Sequence, residues 1–151
     1  MSIDWNRLQP YKTTKTKSFE QLCYQIGFSM HGEDGICTSI DNSGGGDGVE
    51  FYLAFPNGRE WGWQAKYYEG SPRLSVSGRK AAIVSSLQWA TSLHPLMEVW
   101  YLCLPMDLTP YEDTWVKSKL SKRIALRHPA KIVLWNESPK FYSSNYSPFI
   151  L

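Results

Sequence analysis

The stretch from Gly44 to Tyr68, GGGDGVEFYLAFPNGREWGWQAKYY, gathers acids, an amide and an ammonium group on one glycine loop and one hairpin. Asp47 and Glu50 stand where the first strand begins, and Gln64-Ala65-Lys66 closes the second. Cleaving a phosphodiester with a divalent metal requires oxygen ligands that leave positions open for water and phosphate. A carboxylate at the start of the hairpin supplies one ligand, the Gln64 side-chain oxygen a neutral second, and the Ala65 carbonyl a third. Lys66 can orient or help deprotonate the attacking water and stabilise the pentavalent transition state. Mg2+, or Mn2+ in its place, suits so sparse an oxygen site because it keeps several waters. Plainer roles stand beside these. Asp47 suits a turn aspartate bound to backbone amides, and Lys66 with Gln64 suits a surface strand pair.

Whether these groups meet depends on the hairpin. Val49–Phe55 and Glu60–Tyr67 are aromatic and β-branched enough for strands, and Pro56-Asn57-Gly58-Arg59 is a hairpin signal. Gln64 and Lys66 are two apart and project from one face. A two-residue Asn57-Gly58 loop pairs 51 with 64 and 49 with 66, which turns Glu50 to the opposite face. A three-residue loop with a glycine bulge pairs 50 with 66 and brings Glu50 onto the lysine's face. Asp47, in the loop, is not bound by this parity. The glycine run is no Walker motif, because no Gly-Lys-Ser/Thr follows, and no dinucleotide fingerprint, because a strand follows it.

The remaining elements must position this hairpin. Residues 1–17 read as a solvated arm ending in Lys12, Lys15 and Lys17. Ser18 and Gln21 form a capping box, and Phe19, Leu22, Cys23 and Ile26 make one buried helix face. Glu20 suits either a first-turn glutamate facing the helix dipole or an acid reaching across to the metal site. Ile36–Ile40 is a candidate short strand, residues 69–77 a loop, and residues 78–93 a helix with Ile83, Leu87 and Ala90 inward. Met97–Leu104 (MEVWYLCL) is apolar enough for a strand buried on both faces. Thr109-Pro110-Tyr111-Glu112 is a second capping box, opening a helix to about Arg127 that carries Lys117, Lys119, Lys122, Arg123 and Arg127. That basic run reads as a solvated face or as a surface that tracks phosphates. Ile132–Trp135 makes a last strand. The order α-β-β-β-α-β-α-β implies an α/β fold, a mixed sheet flanked by helices.

The 151 residues make one domain's worth of chain, and 42% hydrophobic content with seven tryptophans excludes a disordered one. A net charge of +2 permits nucleic-acid binding without arguing for it, so a binding face must come from local clustering. Cys23, Cys37 and Cys103 lack CxxC spacing, and Cys23 and Cys103 fall on apolar faces, as buried thiols of a reducing cytoplasm do. The N-terminal residues contain no apolar signal-peptide core, and no apolar run reaches membrane-spanning length, so a cytoplasmic protein without a membrane partner is expected. His31, His94 and His128 show no metal-ligand spacing, and no G-x-S-x-G elbow supports a hydrolase triad.

GGGDGVE followed by WGWQAKYY resembles the Mrr-type branch of the PD-(D/E)XK nucleases, whose pattern is a Gly-rich G-D-x-G-x-D and then Q-x-K. Gln64 and Lys66 match the Q-x-K, and Asp47 matches the first acid of the loop. Glu50 stands where that family usually has its principal metal-binding Asp, and the loop is one residue tighter than its commonest form. Both acids therefore remain open as the main ligand. Glu20 matches the family's auxiliary acid.

The resemblance covers about residues 18–104 and implies a restriction-endonuclease-like fold: an α-β-β-β-α-β core plus a further α-β. It also implies a Mg2+- or Mn2+-dependent endonuclease acting on double-stranded DNA. Catalytic groups would be Asp47, Glu50, Gln64, Lys66 and Glu20, and the metal would sit on Asp47, Glu50, Gln64 and Ala65. Arg73, Arg79 and Lys80 follow the hairpin and would reach backbone phosphates, contacts that carry little sequence information. LPMDLTPYEDTW and KIVLW are similar to Mrr-like modules at the N-terminus of antiphage STAND NTPases, where the nuclease is an effector released by oligomerisation. On that reading residues 1–17 are an arm, 18–135 the nuclease domain, and 136–151 a linker or the start of a following module of a longer, homo-oligomeric protein. The competing expectations are a non-catalytic nucleic-acid- or partner-binding module and a Holliday-junction-resolvase-like nuclease.

Overall fold

The computed structural model describes residues 7–10, 14–41, 48–123 and 130–136. Asp47 and the rest of 42–47, the helix end expected near Arg127, and the segment 137–151 lie outside the described residues. The elements run α1 (Lys15–His31), β1 (Ile36–Ser39), β2 (Phe51–Ala54), β3 (Glu60–Ala65), α2 (Arg79–Leu93), β4 (Met97–Cys103), α3 (Pro110–Thr114), a π-helical segment (Trp115–Lys119), α4 (Leu120–Arg123) and β5 (Lys131–Trp135). This is the expected α/β order. None of the described helices is long and apolar enough to cross a membrane.

The five strands form one mixed sheet in the order β1-β2-β3-β4-β5. The β1/β2 and β2/β3 pairs are antiparallel, and the β3/β4 and β4/β5 pairs are parallel. Two successive parallel crossovers that step the same way across a sheet place their helices on one face. Accordingly Ile83, Leu87 and Ala90 of α2 share a core with Trp115, Val116 and Leu120. Phe19, Leu22, Cys23 and Ile26 of α1 build the core on the other face, with Trp63, Cys103 and Trp135. β4 supplies both, Trp100 and Leu102 to the α2 side and Cys103 to the α1 side, as a near-continuous apolar strand should. Cys23 and Cys103 are buried free thiols.

The hairpin resolves the parity question. Gly58 N–H donates to Phe55 O at 2.9 Å, Phe55 N–H donates to Arg59 O at 2.9 Å, and Gly58 lies at φ +86°. The loop is therefore three residues, Pro56-Asn57-Gly58, closed by a left-handed glycine. It is centred one residue earlier than expected, because Pro56 takes the turn position its fixed φ suits. The register becomes Phe51↔Trp63 through Ala54↔Glu60. Glu50 thus shares the face of Gln64 but stands across from Gln64, not from Lys66.

Helix α1 starts earlier than Ser18. Thr14 is the N-cap, its side chain accepting from Lys17 N–H at 3.1 Å. Ser18 is fully buried and its hydroxyl donates to Gln9 O, so it cannot serve as a cap. Leu8 packs into the α1-side core, while Arg7, Gln9 and Pro10 beside it are exposed. By contrast the second capping box forms as expected, with Glu112 N–H donating to Thr109 Oγ1 at 3.2 Å and Thr109 N–H to Glu112 Oε1 at 3.0 Å.

Gly48 makes the closest approach between the chain entering β2 and helix α2. It lies at φ +86°, and a Cβ there would fall 2.0 Å from Ser86 O and 2.4 Å from Ala90 N. Gly48→Ala should lose about 1–2 kcal/mol to the positive φ and a further 1–3 kcal/mol, roughly, to overpacking against backbone. Gly58→Ala is the control, since its φ is the same but the nearest atom to its Cβ is Leu96 Cδ1 at 3.9 Å. Urea midpoints should fall well below wild type for Gly48→Ala and only modestly for Gly58→Ala. Equal shifts would refute the packing argument.

Candidate active site

The candidate site forms where β2 begins and β3 ends. Glu50 N–H donates to Trp63 O at 2.7 Å, and Glu50 O accepts from Ile40 N–H at 2.8 Å, so its backbone is held between the neighbouring strands. One step beyond the Phe51↔Trp63 pair, Glu50 faces Gln64. There Gln64 Nε2 donates to Glu50 Oε1 at 2.5 Å and to the Ala65 carbonyl at 3.2 Å. Gln64 is buried, at 5% exposure, so this amide works away from bulk water.

Lys66 lies just past the end of β3, not within a strand running to Tyr67. Its N–H still donates to Cys103 O at 3.0 Å, which carries the ladder one residue further and fixes the root of the side chain. Burial pulls the Lys66 pKa below the ordinary lysine value, while Glu50 and then Glu20 act in the opposite direction. The ammonium makes no ion pair with a described residue. It is a desolvated cation within electrostatic reach of both acids.

Glu20 reaches this region from α1. It pairs with Lys17 at 2.9 Å, and with Glu50, Asp41 and Tyr24 it lines a cleft of about 370 Å³. The hydrogen bond and charge of Glu20, aided by Glu50 and Asp41, raise the Lys17 pKa. The structure therefore brings Glu20, Glu50, Gln64, Ala65 and Lys66 together. Asp47 is outside the described residues.

Among the described residues no group of three His, Cys, Asp or Glu side chains is placed to hold a metal ion. A metal here would rest on a mixed set: one carboxylate, one amide and one backbone carbonyl. The donor chemistry fits, because two acceptor oxygens, from Glu50 and Ala65, already converge on a single point at the Gln64 amide. A half-turn of that amide exchanges its donor for an acceptor. All three groups are then hard oxygen donors of the kind that suit Mg2+ or Mn2+.

The expected phosphate contacts fall into two kinds. Arg73 donates to Glu112 at 2.6 Å, and Arg79 donates to Arg73 O and Glu69 O at 2.9 Å each while lying 4.5 Å over the Tyr68 ring. Both guanidinium groups organise the loop between β3 and α2. Lys80 turns outward, over the rings of Tyr111 and Trp115 at 5.1 and 5.2 Å. Beyond it lies a groove of about 430 Å³ formed with Lys119 and Lys122. The sequence showed Lys119 and Lys122 only as part of a basic run. Tyr111 four residues before Trp115 and eight before Lys119 was the available signal, since helical spacing puts Tyr111, Trp115 and Lys119 on one side. Neither a protein-family model nor a curated protein matches the chain.

Two titrations follow from this geometry. Glu50→Gln removes the larger of the two carboxylates supporting the Lys66 charge, and Glu20→Gln the smaller. NMR titration of the metal-free protein should show the Lys66 ammonium losing its proton at lower pH in both variants, furthest in Glu50→Gln; no change in either would refute the coupling. Glu112 behaves oppositely. Burial alone would raise its pKa, but hydrogen bonds from Leu74 and Thr109 N–H, the Thr109 side chain and Arg73 outweigh this and hold it low. A folded-state pKa below the unfolded value of about 4.3 stabilises at higher pH, and that contribution disappears as pH falls through the folded value. Glu112→Gln should therefore lower stability by about 1–3 kcal/mol at pH 7, with the gap between the two urea midpoints closing in acid. A gap that persists below the folded pKa would exclude a charge-based role.

Proposed function

We propose that this chain is a metal-dependent DNA endonuclease domain on a restriction-endonuclease-like fold, cutting duplex DNA with little sequence specificity. The supporting observation is the convergence of Glu50 Oε1 and the Ala65 carbonyl on one buried amide, Gln64, beside the desolvated Lys66. Two acceptors satisfy both N–H donors of the buried Gln64 amide, and what adds a chemical reading to that pair is the half-buried Lys66 beside it. Under the same proposal the domain is the effector part of a larger antiphage defence protein. That part rests on the resemblance of its C-terminal segments.

Glu50, Gln64 and the Ala65 carbonyl would hold Mg2+ or Mn2+, with Asp47 as the further acid. When bound, the cation supplies Lewis-acid polarisation of the phosphoryl group. Lys66 handles the proton and the charge. Burial lowers its pKa, so at any given pH a larger share of Lys66 than of an exposed lysine is the neutral amine that can take a proton from the attacking water. As the water oxygen bonds to phosphorus and the leaving oxygen departs, the protonated Lys66 hydrogen-bonds the equatorial oxygens. Glu20 and Glu50 keep that ammonium in place electrostatically.

Supercoiled plasmid should be nicked in Mg2+ or Mn2+ and left intact in EDTA. Lys66→Ala should lose at least about 100-fold in rate, the scale of removing one transition-state donor. Nicking retained in Lys66→Ala would refute the assignment. Intact plasmid from an artificially oligomerised domain, with duplex binding unchanged by EDTA, would assign a non-catalytic binding module instead. A strong preference for branched over linear duplex would assign a junction resolvase.

A further inference from the structure

The groove beside Lys80 is lined by Lys80, Lys119 and Lys122 above Tyr111 and Trp115, with a volume of about 430 Å³. Its lysines differ from their neighbour on the same helix. Lys117 is neutralised by Asp113 at 3.0 Å, whereas Lys80, Lys119 and Lys122 form no ion pair with a described residue. Two of them are held by rings. Lys80 and Lys119 each lie 5.1 Å from the Tyr111 centroid, and Lys80 is 5.2 Å from that of Trp115. Tyr111 is 63% exposed, so the ring sits at the surface with its lysines around it. Cation–π contacts of this kind supply roughly 0.5–1 kcal/mol each at exposed sites, too little to make like-charged ammonium groups want one another's company. An anion satisfies all three.

The groove is tied to the candidate active site by short, bonded links. Lys66 N–H bonds to Cys103 O, so β3 and β4 end together, and their continuations lead to α2 and α3 respectively. Glu112, next to Tyr111, accepts from both Leu74 N–H and Arg73, which clamps the loop after Lys66 onto the first turn of α3. Tyr68, two residues beyond Lys66, donates to Arg79 O at 3.4 Å, one residue before Lys80.

We infer that the Lys80–Lys119–Lys122 groove is a second phosphate subsite, which holds backbone phosphates of the duplex flanking the one at Lys66; this rests on the endonuclease reading above. Three clustered ammonium groups match a run of phosphodiesters by charge and not by sequence. Its clamped position makes it a register device. It sets how far along the strand the cut lies from the anchored phosphates.

The test is binding of a short fluorescein-labelled duplex, followed by anisotropy in EDTA over a salt series. The protein variants are the wild type, the triple variant Lys80→Ala/Lys119→Ala/Lys122→Ala, and Lys117→Ala as the paired-lysine control. The triple variant should bind about 10- to 100-fold more weakly, and its salt slope should fall by about 2–3, one unit or slightly less per phosphate contact. Lys117→Ala should change neither. Unchanged affinity and slope in the triple variant would overturn the proposal, and so would an equal loss in Lys117→Ala, which would mean diffuse charge. Saturable binding of inorganic tripolyphosphate that the triple variant loses, with duplex binding intact, would assign the groove to a free polyphosphate and overturn it too. Near-UV circular dichroism confirms that the tryptophan-rich core is unchanged. Because cleavage plays no part in this readout, groove-dependent binding without nicking would remove the endonuclease reading alone, and nicking with groove-independent binding would remove the groove alone.

Discussion

The site depends on how closely the chain before β2 can approach α2. Gly48 sits against the Ser86 carbonyl and Ala90 with no room for a side chain, and its own carbonyl accepts from Trp100 Nε1 at 3.0 Å. That indole lies in the middle of β4, fully buried, and gives the loop a fixed anchor inside the α2-side core. Val49 packs into the same core, and Glu50 is the next residue. A buried glycine contact and one indole hydrogen bond thus determine where the carboxylate enters the sheet. Neither group has any chemistry of its own.

The opposite face of the sheet is built for rigidity. Phe51, Trp63 and Tyr101 stack across three neighbouring strands, with centroid separations of 4.8 and 4.6 Å and interplanar angles of 13° and 8°. Trp135 on β5 meets Tyr101 and Trp63 at 5.2 and 6.0 Å. Aromatic pairs across strands each add about 0.5–1.5 kcal/mol beyond the area they bury, and these rings alternate with the residues of the site. Trp63 precedes Gln64 directly, so the ring that locks β3 also orients the amide. Preorganisation of this kind matters where a half-ångström shift would separate the Glu50 and Ala65 oxygens from their common partner.

Glu112 couples the two surfaces that carry charge. It is almost fully buried, closes the capping box of α3, and binds the backbone and the guanidinium of the loop that follows Lys66. A single carboxylate that accepts from Thr109 N–H, Leu74 N–H and Arg73 ties the loop to the helix. Arg73 and Arg79 complete that framework. In this arrangement the two arginines shape the loop, and the free positive charge is presented by lysines further out.

Much of the fold was legible in the chain alone, since its causes are local. Element order followed from hydrophobic period, the Thr109 capping box from four consecutive residues, the hairpin from Pro56-Asn57-Gly58-Arg59, and the doubly buried β4 from a run apolar but for Glu98. The start of α1 was not legible, because Thr14 and Ser18 are equally good caps locally and only the burial of Ser18 against Gln9 decides between them. The site was legible as a set of residue types and not as a constellation. Glu50's face hung on the parity of one turn, the pairing of Glu50 with Gln64 on its exact centre, and the withdrawal of Lys66 from water on packing by distant elements. The sequence by itself determined which groups were available and the order of the elements that carry them. Tertiary structure alone decided which of those groups meet, because contact between residues far apart in the chain depends on strand register and close packing, which no local pattern encodes.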